Sequence, residues 1–122
     1  MQISDAESRV MAILWSRGPS TAEEVFDEIG DAADWQEATV KTLLNRLLKK
    51  GAVAATAEGR RYRYRPLLEQ SQWVLDTSRN LVDRLFGGRV APLVAHFSEH
   101  GALSRADIEA LRRLIQDIDG GR

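Results

Sequence analysis

The chain has 122 residues, no cysteine and a formal net charge of −1. That length holds one compact domain, or a small domain with an appendage, and the lack of thiols excludes disulfides, iron–sulfur clusters, thiolate zinc sites and cysteine nucleophiles. No apolar run approaches the ~20 residues of a spanning helix and the N-terminus carries no basic-then-apolar signal, so a cytoplasmic protein without membrane insertion is expected.

The near-zero charge hides an asymmetry. Residues 1–37 carry two arginines against nine acids, residues 38–66 carry eight cations against Glu58, and residues 67–122 carry seven arginines against eight acids: −7, +7 and −1. A basic block this concentrated is the footprint of a nucleic-acid contact surface, and a solvated basic face without a partner has the same composition.

In chain order, Ser4-Asp5-Ala6-Glu7 forms a capping box ahead of Val10, Ile13 and Leu14 at helical spacing, and Gly18-Pro19 stops that helix. Ser20-Thr21-Ala22-Glu23 reads as a second box, opening a short helix with Ala22, Val25, Phe26 and Ile29 inward that ends at Gly30. Residues 31–34 read as a loop. A third helix is predicted from about Trp35, with Asp34 as N-cap and Gly51 as the residue beyond its C-terminus. Val40, Leu43, Leu44, Leu47 and Leu48 form its apolar stripe. Residues 52–56 and 62–66 read as strands of a hairpin turning at 57–61, with Tyr62 and Tyr64 on one face and Arg61, Arg63 and Arg65 on the other. Helical patterns return at about 69–86 and 90–97, and after a Ser104–Asp107 cap, with Gly87-Gly88 and Gly101 between them; the Gly120-Gly121-Arg122 tail is expected to fray.

Three helices followed by a basic hairpin is the order of a winged helix-turn-helix. The predicted fold is therefore mainly α with a small β-wing: a DNA-binding domain over residues 1–67 and a helical dimerisation region over 68–122. With the leucine stripe of the third helix inward, Ala38, Thr42, Asn45, Arg46 and Lys49 face outward, flanked by Thr39 and Lys41. Arginine reads guanine and asparagine reads adenine in the major groove, whereas a lysine near the helix end suits phosphate. Arg60, Arg61 and Arg63 of the wing are read as backbone or minor-groove contacts, or as charges that keep a hairpin soluble. Tyr62 and Tyr64 are expected to pack the hairpin on the core; stacking on single-stranded bases is the alternative use. The apolar set of the C-terminal half (Val74, Leu81, Leu85, Phe86, Leu93, Phe97, Leu111, Leu114 and Ile115) exceeds what so few residues can bury internally, so it is assigned to a two-fold homodimer interface.

The stretches Ile3-Ser4-Asp5-Ala6-Glu7, Val10-Met11, Leu14-Trp15, Asp34-Trp35, the run from Thr39 to Leu47, Lys50-Gly51 and Tyr62-Arg63-Tyr64 resemble the penicillinase-repressor (BlaI/MecI) family along essentially the whole chain. The resemblance implies a repressor of palindromic operators, its own promoter included, relieved by a membrane-embedded sensor-protease or a downstream protease that cuts in the C-terminal part. The chain departs from the family pattern at three places. Gln36 stands where a serine-like capper is common. His96-Phe97 stands at the Asn-Phe bond cut in the antibiotic-resistance members. The cysteine metal motifs of the copper-responsive branch are absent. His96 and His100, with Glu99 nearby, have metal-ligand spacing but are read as an incidental surface pair, so no metal and no cofactor are expected. No catalytic set stands out and no enzyme is expected. A winged-helix protein–protein module remains the alternative to a DNA reader.

Overall fold

The computed structural model describes residues 1–121; the frayed tail was expected to reach Arg122, which lies outside the described residues. The elements are α1 (Asp5–Arg17), β1 (Ser20–Thr21), α2 (Ala22–Ala33), α3 (Glu37–Lys50), β2 (Val53–Glu58), β3 (Arg61–Pro66), α4 (Gln70–Phe86), α5 (Val90–Glu99) and α6 (Arg105–Gly120). The fold is mainly helical with one small antiparallel sheet, ordered β1-β3-β2. The chain divides into two compact units, Met1–Val74 and Leu75–Arg122, the division falling inside α4. No described helix is long and apolar enough to cross a membrane.

The first unit owns the core. Val10, Met11 and Leu14 of α1, Val25 of α2, and Val40, Leu43, Leu44 and Leu47 of α3 interlock with Ala52, Val53 and Tyr64 of the hairpin. The i, i+3, i+4, i+7 spacing on α3 puts its four residues on one face, and each is essentially fully buried. Leu48, expected in the same stripe, lies at its margin and is 40% exposed. Trp15 fastens the chain after the hairpin: its indole Nε1–H donates to the Leu68 carbonyl oxygen at 2.8 Å, and its ring lies 5.6 Å from that of Trp73.

Three expectations about helix boundaries are corrected. Residues 20 and 21 form β1, with Ser20 opposite Tyr64 and Thr21 opposite Arg63. The box at the head of α2 is therefore shifted by one residue: Thr21 Oγ1 accepts from the Glu24 amide at 3.2 Å and Glu24 Oε1 accepts from the Thr21 amide at 2.9 Å, while the Ser20 hydroxyl donates to the Gly18 carbonyl. The α2 helix then runs past Gly30 to Ala33, through most of the predicted loop. Asp34 is not the N-cap of α3. Its φ of +57° is left-handed, which aspartate tolerates better than most residues, whereas an N-cap is extended. Gln36 holds that position at φ −97°, ψ 160°, without a side-chain cap, so Trp35 lies outside the helix and packs half-buried on the core.

The end of α3 is better secured. Gly51 is left-handed at φ +80°, a conformation that costs glycine little, and the following Ala52 amide closes on the Leu47 carbonyl at 2.9 Å. Lys50 reaches across to α1 and donates to Glu7 Oε1 at 2.6 Å and to the Gln2 carbonyl at 3.1 Å. Glu7 is 2% exposed and completes the Ser4 capping box, with its other oxygen buried without a partner among the described residues. Burial raises its pKa, but hydrogen bonds from Lys50 and Ser4 and the lysine charge outweigh burial and hold it below the usual carboxylate range. Lys50→Met should therefore destabilise the fold by about 1–2 kcal/mol near neutral pH, a discount for the half-exposed lysine included. A lowered folded-state pKa stabilises above the ordinary carboxylate value and loses its effect as pH falls through the depressed one. The gap between wild type and Lys50→Met in urea midpoint should accordingly close on acidification.

Candidate nucleic-acid interface

Because the apolar face of α3 is spent on the core, its other face is open. Ala38, Thr39, Lys41, Thr42, Asn45, Arg46 and Lys49 are all exposed. Thr42 donates its hydroxyl back to the Ala38 carbonyl at 3.0 Å, which fixes its rotamer. Lys41 stands 4.0 Å from Glu37, one turn earlier.

The wing is a tight hairpin. Glu58 pairs with Arg61, leaving Gly59 and Arg60 as a two-residue loop, shorter than the 57–61 turn expected. Gly59 alone is left-handed there (φ +65°), the glycine-first arrangement that matches strand twist. Arg60 is thereby presented, exposed, at the tip. The two tyrosines part company. Tyr64, opposite Ala55 near the hairpin root, is buried in the core, but Tyr62, opposite Ala57 farther along the hairpin, is 56% exposed. The expectation that both would pack the hairpin holds for Tyr64 alone. Tyr62 instead lines, with Lys41, Asn45, Arg60 and Arg61, a cleft of about 450 Å³ between α3 and the wing.

Arg63 is the best-connected side chain of the wing. Its guanidinium grips Glu58 through two bonds of 2.6 and 3.0 Å, and its Nη1 donates at 3.1 Å to both Glu24 Oε1 and the Pro19 carbonyl. Glu24 also holds Arg17 at 2.9 Å. The Glu58 carboxylate, through its hydrogen bonds, raises the Arg63 pKa, and Arg63 lowers that of Glu58. The Thr21 amide, followed by the Thr21 hydroxyl, Arg63 and Arg17, brings Glu24 down to about 2 against a smaller opposing push from burial. This arginine thus ties wing to α2. Arg61 leans on Glu23 at 3.5 Å. Of the eight cations between residues 38 and 66, Lys41, Lys50, Arg61 and Arg63 have acidic partners, while Arg46, Lys49, Arg60 and Arg65 form no ion pair among the described residues. Tyr62 and Arg65 were not assigned to the site from sequence. Strand alternation sets Arg65, opposite Ala54, on the face away from buried Tyr64, whereas only the position of Tyr62 farther from the hairpin root distinguishes it from Tyr64.

In the second unit none of the described residues of α5 or α6 is buried, and α4 has none either. Val74, Leu81, Leu85 and Phe86 lie on α4, Leu93 and Phe97 on α5, and Leu111, Leu114 and Ile115 on α6. Leu85, Leu114 and Ile115 are each more than half exposed. Between α5 and α6, Val90, Val94, Ile108, Leu111 and Ile115 border an apolar hollow of about 800 Å³. The His96–Phe97 bond sits inside α5, where the Ala102 amide donates to the Phe97 carbonyl at 2.8 Å.

Glu24→Gln should loosen the wing. The carboxylate titrates near 2 in the fold, so its stabilisation is complete above about 4.5 and disappears as pH falls toward 2. Thermal unfolding of wild type and Glu24→Gln should differ at neutral pH and converge in that acid window; a difference that persists at pH 2 would refute the network.

The sequence matches the family described as "Penicillinase repressor" over residues 3–117. It is 33% identical over 116 residues to the penicillinase repressor of Bacillus licheniformis, covering 95% of this chain and 91% of that protein. It is 34% identical over 114 residues to the methicillin resistance regulatory protein MecI of Staphylococcus aureus, covering 93% of each. The fold matches the solution structure of the DNA-binding domain of the repressor BlaI with a TM-score of 0.53 and 40% identity, over 57% of this chain and 85% of that one. It also matches the Bacillus licheniformis BlaI monomeric form in complex with the blaP half-operator, with a TM-score of 0.51 and 39% identity over 58% and 87%. With a family match across nearly its whole length and a winged helix shared with these repressors, the chain belongs to the penicillinase-repressor family of transcriptional repressors.

Proposed function

We propose that this protein is a DNA-binding repressor that reads a palindromic operator as a homodimer. The observation that carries the reading is the outward face of α3, where Asn45, Arg46 and Lys49 stand exposed and Asn45 also lines the wing cleft, in a fold that a relative uses in a complex with a half-operator. In this reading α3 enters the major groove, Asn45 and Arg46 meet base edges with Ala38, Thr39 and Thr42 at their flanks, and Lys49 meets phosphate. Lys41, Arg60 and Arg61 contact the backbone or the adjacent minor groove, and Arg63 sets the wing angle rather than reading DNA. Residues 1–67 read DNA, and the helices of 68–122 pair two copies so that their α3 helices meet successive grooves about 34 Å apart. The unburied leucine, isoleucine and phenylalanine faces of α4 to α6 support pairing, since apolar surface of that extent is rarely left in water. A cytoplasmic location accords with this role. Relief by a sensor-protease or a downstream protease completes the proposal. A cut at His96–Phe97 requires α5 to open first, because helical hydrogen bonds span the bond.

On an operator selected from random duplexes, Arg46→Ala should weaken binding by about 1–3 kcal/mol and relax the preference at one base pair. Lys49→Ala should weaken all sequences alike and lower the salt slope by about 1. Unchanged affinity and preference in Arg46→Ala would refute base reading, and salt-insensitive binding would point to a protein partner. Sedimentation should find a dimer at micromolar concentration, lost in Leu114→Asp/Ile115→Asp; a monomeric wild type would refute the pairing role.

A further inference from the structure

The chain has two histidines, and both lie at the end of α5. Positions 96 and 100 are one helical turn apart, which puts their side chains on one face. The rings stand 4.4 Å apart between centroids at 39°. His100 Nδ1 lies 2.9 Å from the His96 carbonyl oxygen. A carbonyl only accepts, so Nδ1 is the donor, and in the neutral ring this leaves the lone pair on Nε2. That is how metal-bound histidines are held: one ring nitrogen donates to a carbonyl and the other faces the ion. The ring of Phe86 lies 6.1 Å from that of His96 between centroids, tilted by 57°.

Glu99 supplies a third donor. One ligand atom from each of His96, Glu99 and His100 lies within 4.8 Å of the others. Donors around a tetrahedral zinc ion, with bonds of ~2.0–2.1 Å, stand about 3.4 Å apart. All three side chains are exposed. Small rotations in solvent therefore close the gap without disturbing packed neighbours.

We propose that His96, Glu99 and His100 form a binding site for a divalent transition metal of the borderline class, such as Zn(II) or Ni(II), with the remaining positions open to water. Two imidazoles and one carboxylate select these ions over the oxygen-preferring Mg(II). Binding closes a ring across the last turn of α5, the turn that also carries Phe97 and is capped by His100. The ion thereby braces the segment whose amides at His100, Gly101 and Ala102 fold back on His96, Ser98 and Phe97.

The test uses the untagged full chain without DNA, so its outcome is independent of the repressor reading. Calorimetric titration with Zn(II) should give one ion per chain, with no binding of Mg(II) at the same concentrations. His96→Ala and His100→Ala should each weaken Zn(II) at least about tenfold and Glu99→Gln by a similar factor, with helical circular dichroism unchanged because the residues are exposed. Zn(II) should also slow amide exchange across residues 96–102 in the wild type but not in His96→Ala/His100→Ala. Equal Zn(II) affinity in that double variant, wild-type affinity in Glu99→Gln, or unaltered exchange in the zinc-bound wild type would overturn the proposal.

Discussion

The rotation of α3 about its own axis is set by four side chains. Val40, Leu43, Leu44 and Leu47 fill the space between α1, α2 and the hairpin, each essentially without access to water. Burying residues of this size contributes about 1.5–3 kcal/mol apiece. A turn of the helix by one residue would trade Leu44 for Asn45 and place an unpaired amide in an apolar core, at a further cost of a few kcal/mol. The polar face is therefore determined by what the core refuses. The exposure of Asn45, Arg46 and Lys49 follows from that refusal.

Ionic contacts then set what surrounds α3. Lys50 on Glu7 pins its C-terminal end to the head of α1, and Arg63 on Glu24 and Glu58 pins the wing to α2. The acidic first third and the basic middle of the chain are thus partners within one molecule before either meets anything else. Single exposed pairs contribute little to stability. Here the pairs converge on two hubs, one a nearly buried glutamate and the other a forked guanidinium, where geometry rather than strength is what they supply.

The helix order, the leucine stripe and the basic hairpin were legible in the sequence because each is a local periodicity or charge pattern. The helix starts were less so. Three capping-like tetrads compete around residues 20–37, and what decides between them is not local: β1 forms only because β3 lies beside it, and this moves the α2 cap from Ser20 to Thr21. Asp34 carries the right chemistry for a cap but the wrong backbone, a left-handed turn between α2 and α3. In the site, residue types and faces were readable, but pairing was not. A run of eight cations looks uniform in sequence, and only the fold shows which of them already hold an acid. The two tyrosines share a face and differ in burial because the hairpin is longer than the core beneath it.

That division among the cations bears on how such a protein would search a genome. Attachment to arbitrary DNA depends on how many charges can replace condensed counterions, and an arginine already held by two carboxylates contributes less to that count. With Arg63 and Lys50 occupied internally, the basic segment adheres to random sequence more weakly than its composition alone would give. Weaker adhesion shortens each fruitless stop among the ~10⁶ or more competing sites, and it widens the margin by which a true operator outcompetes them. The acids beside the wing thereby favour discrimination over grip.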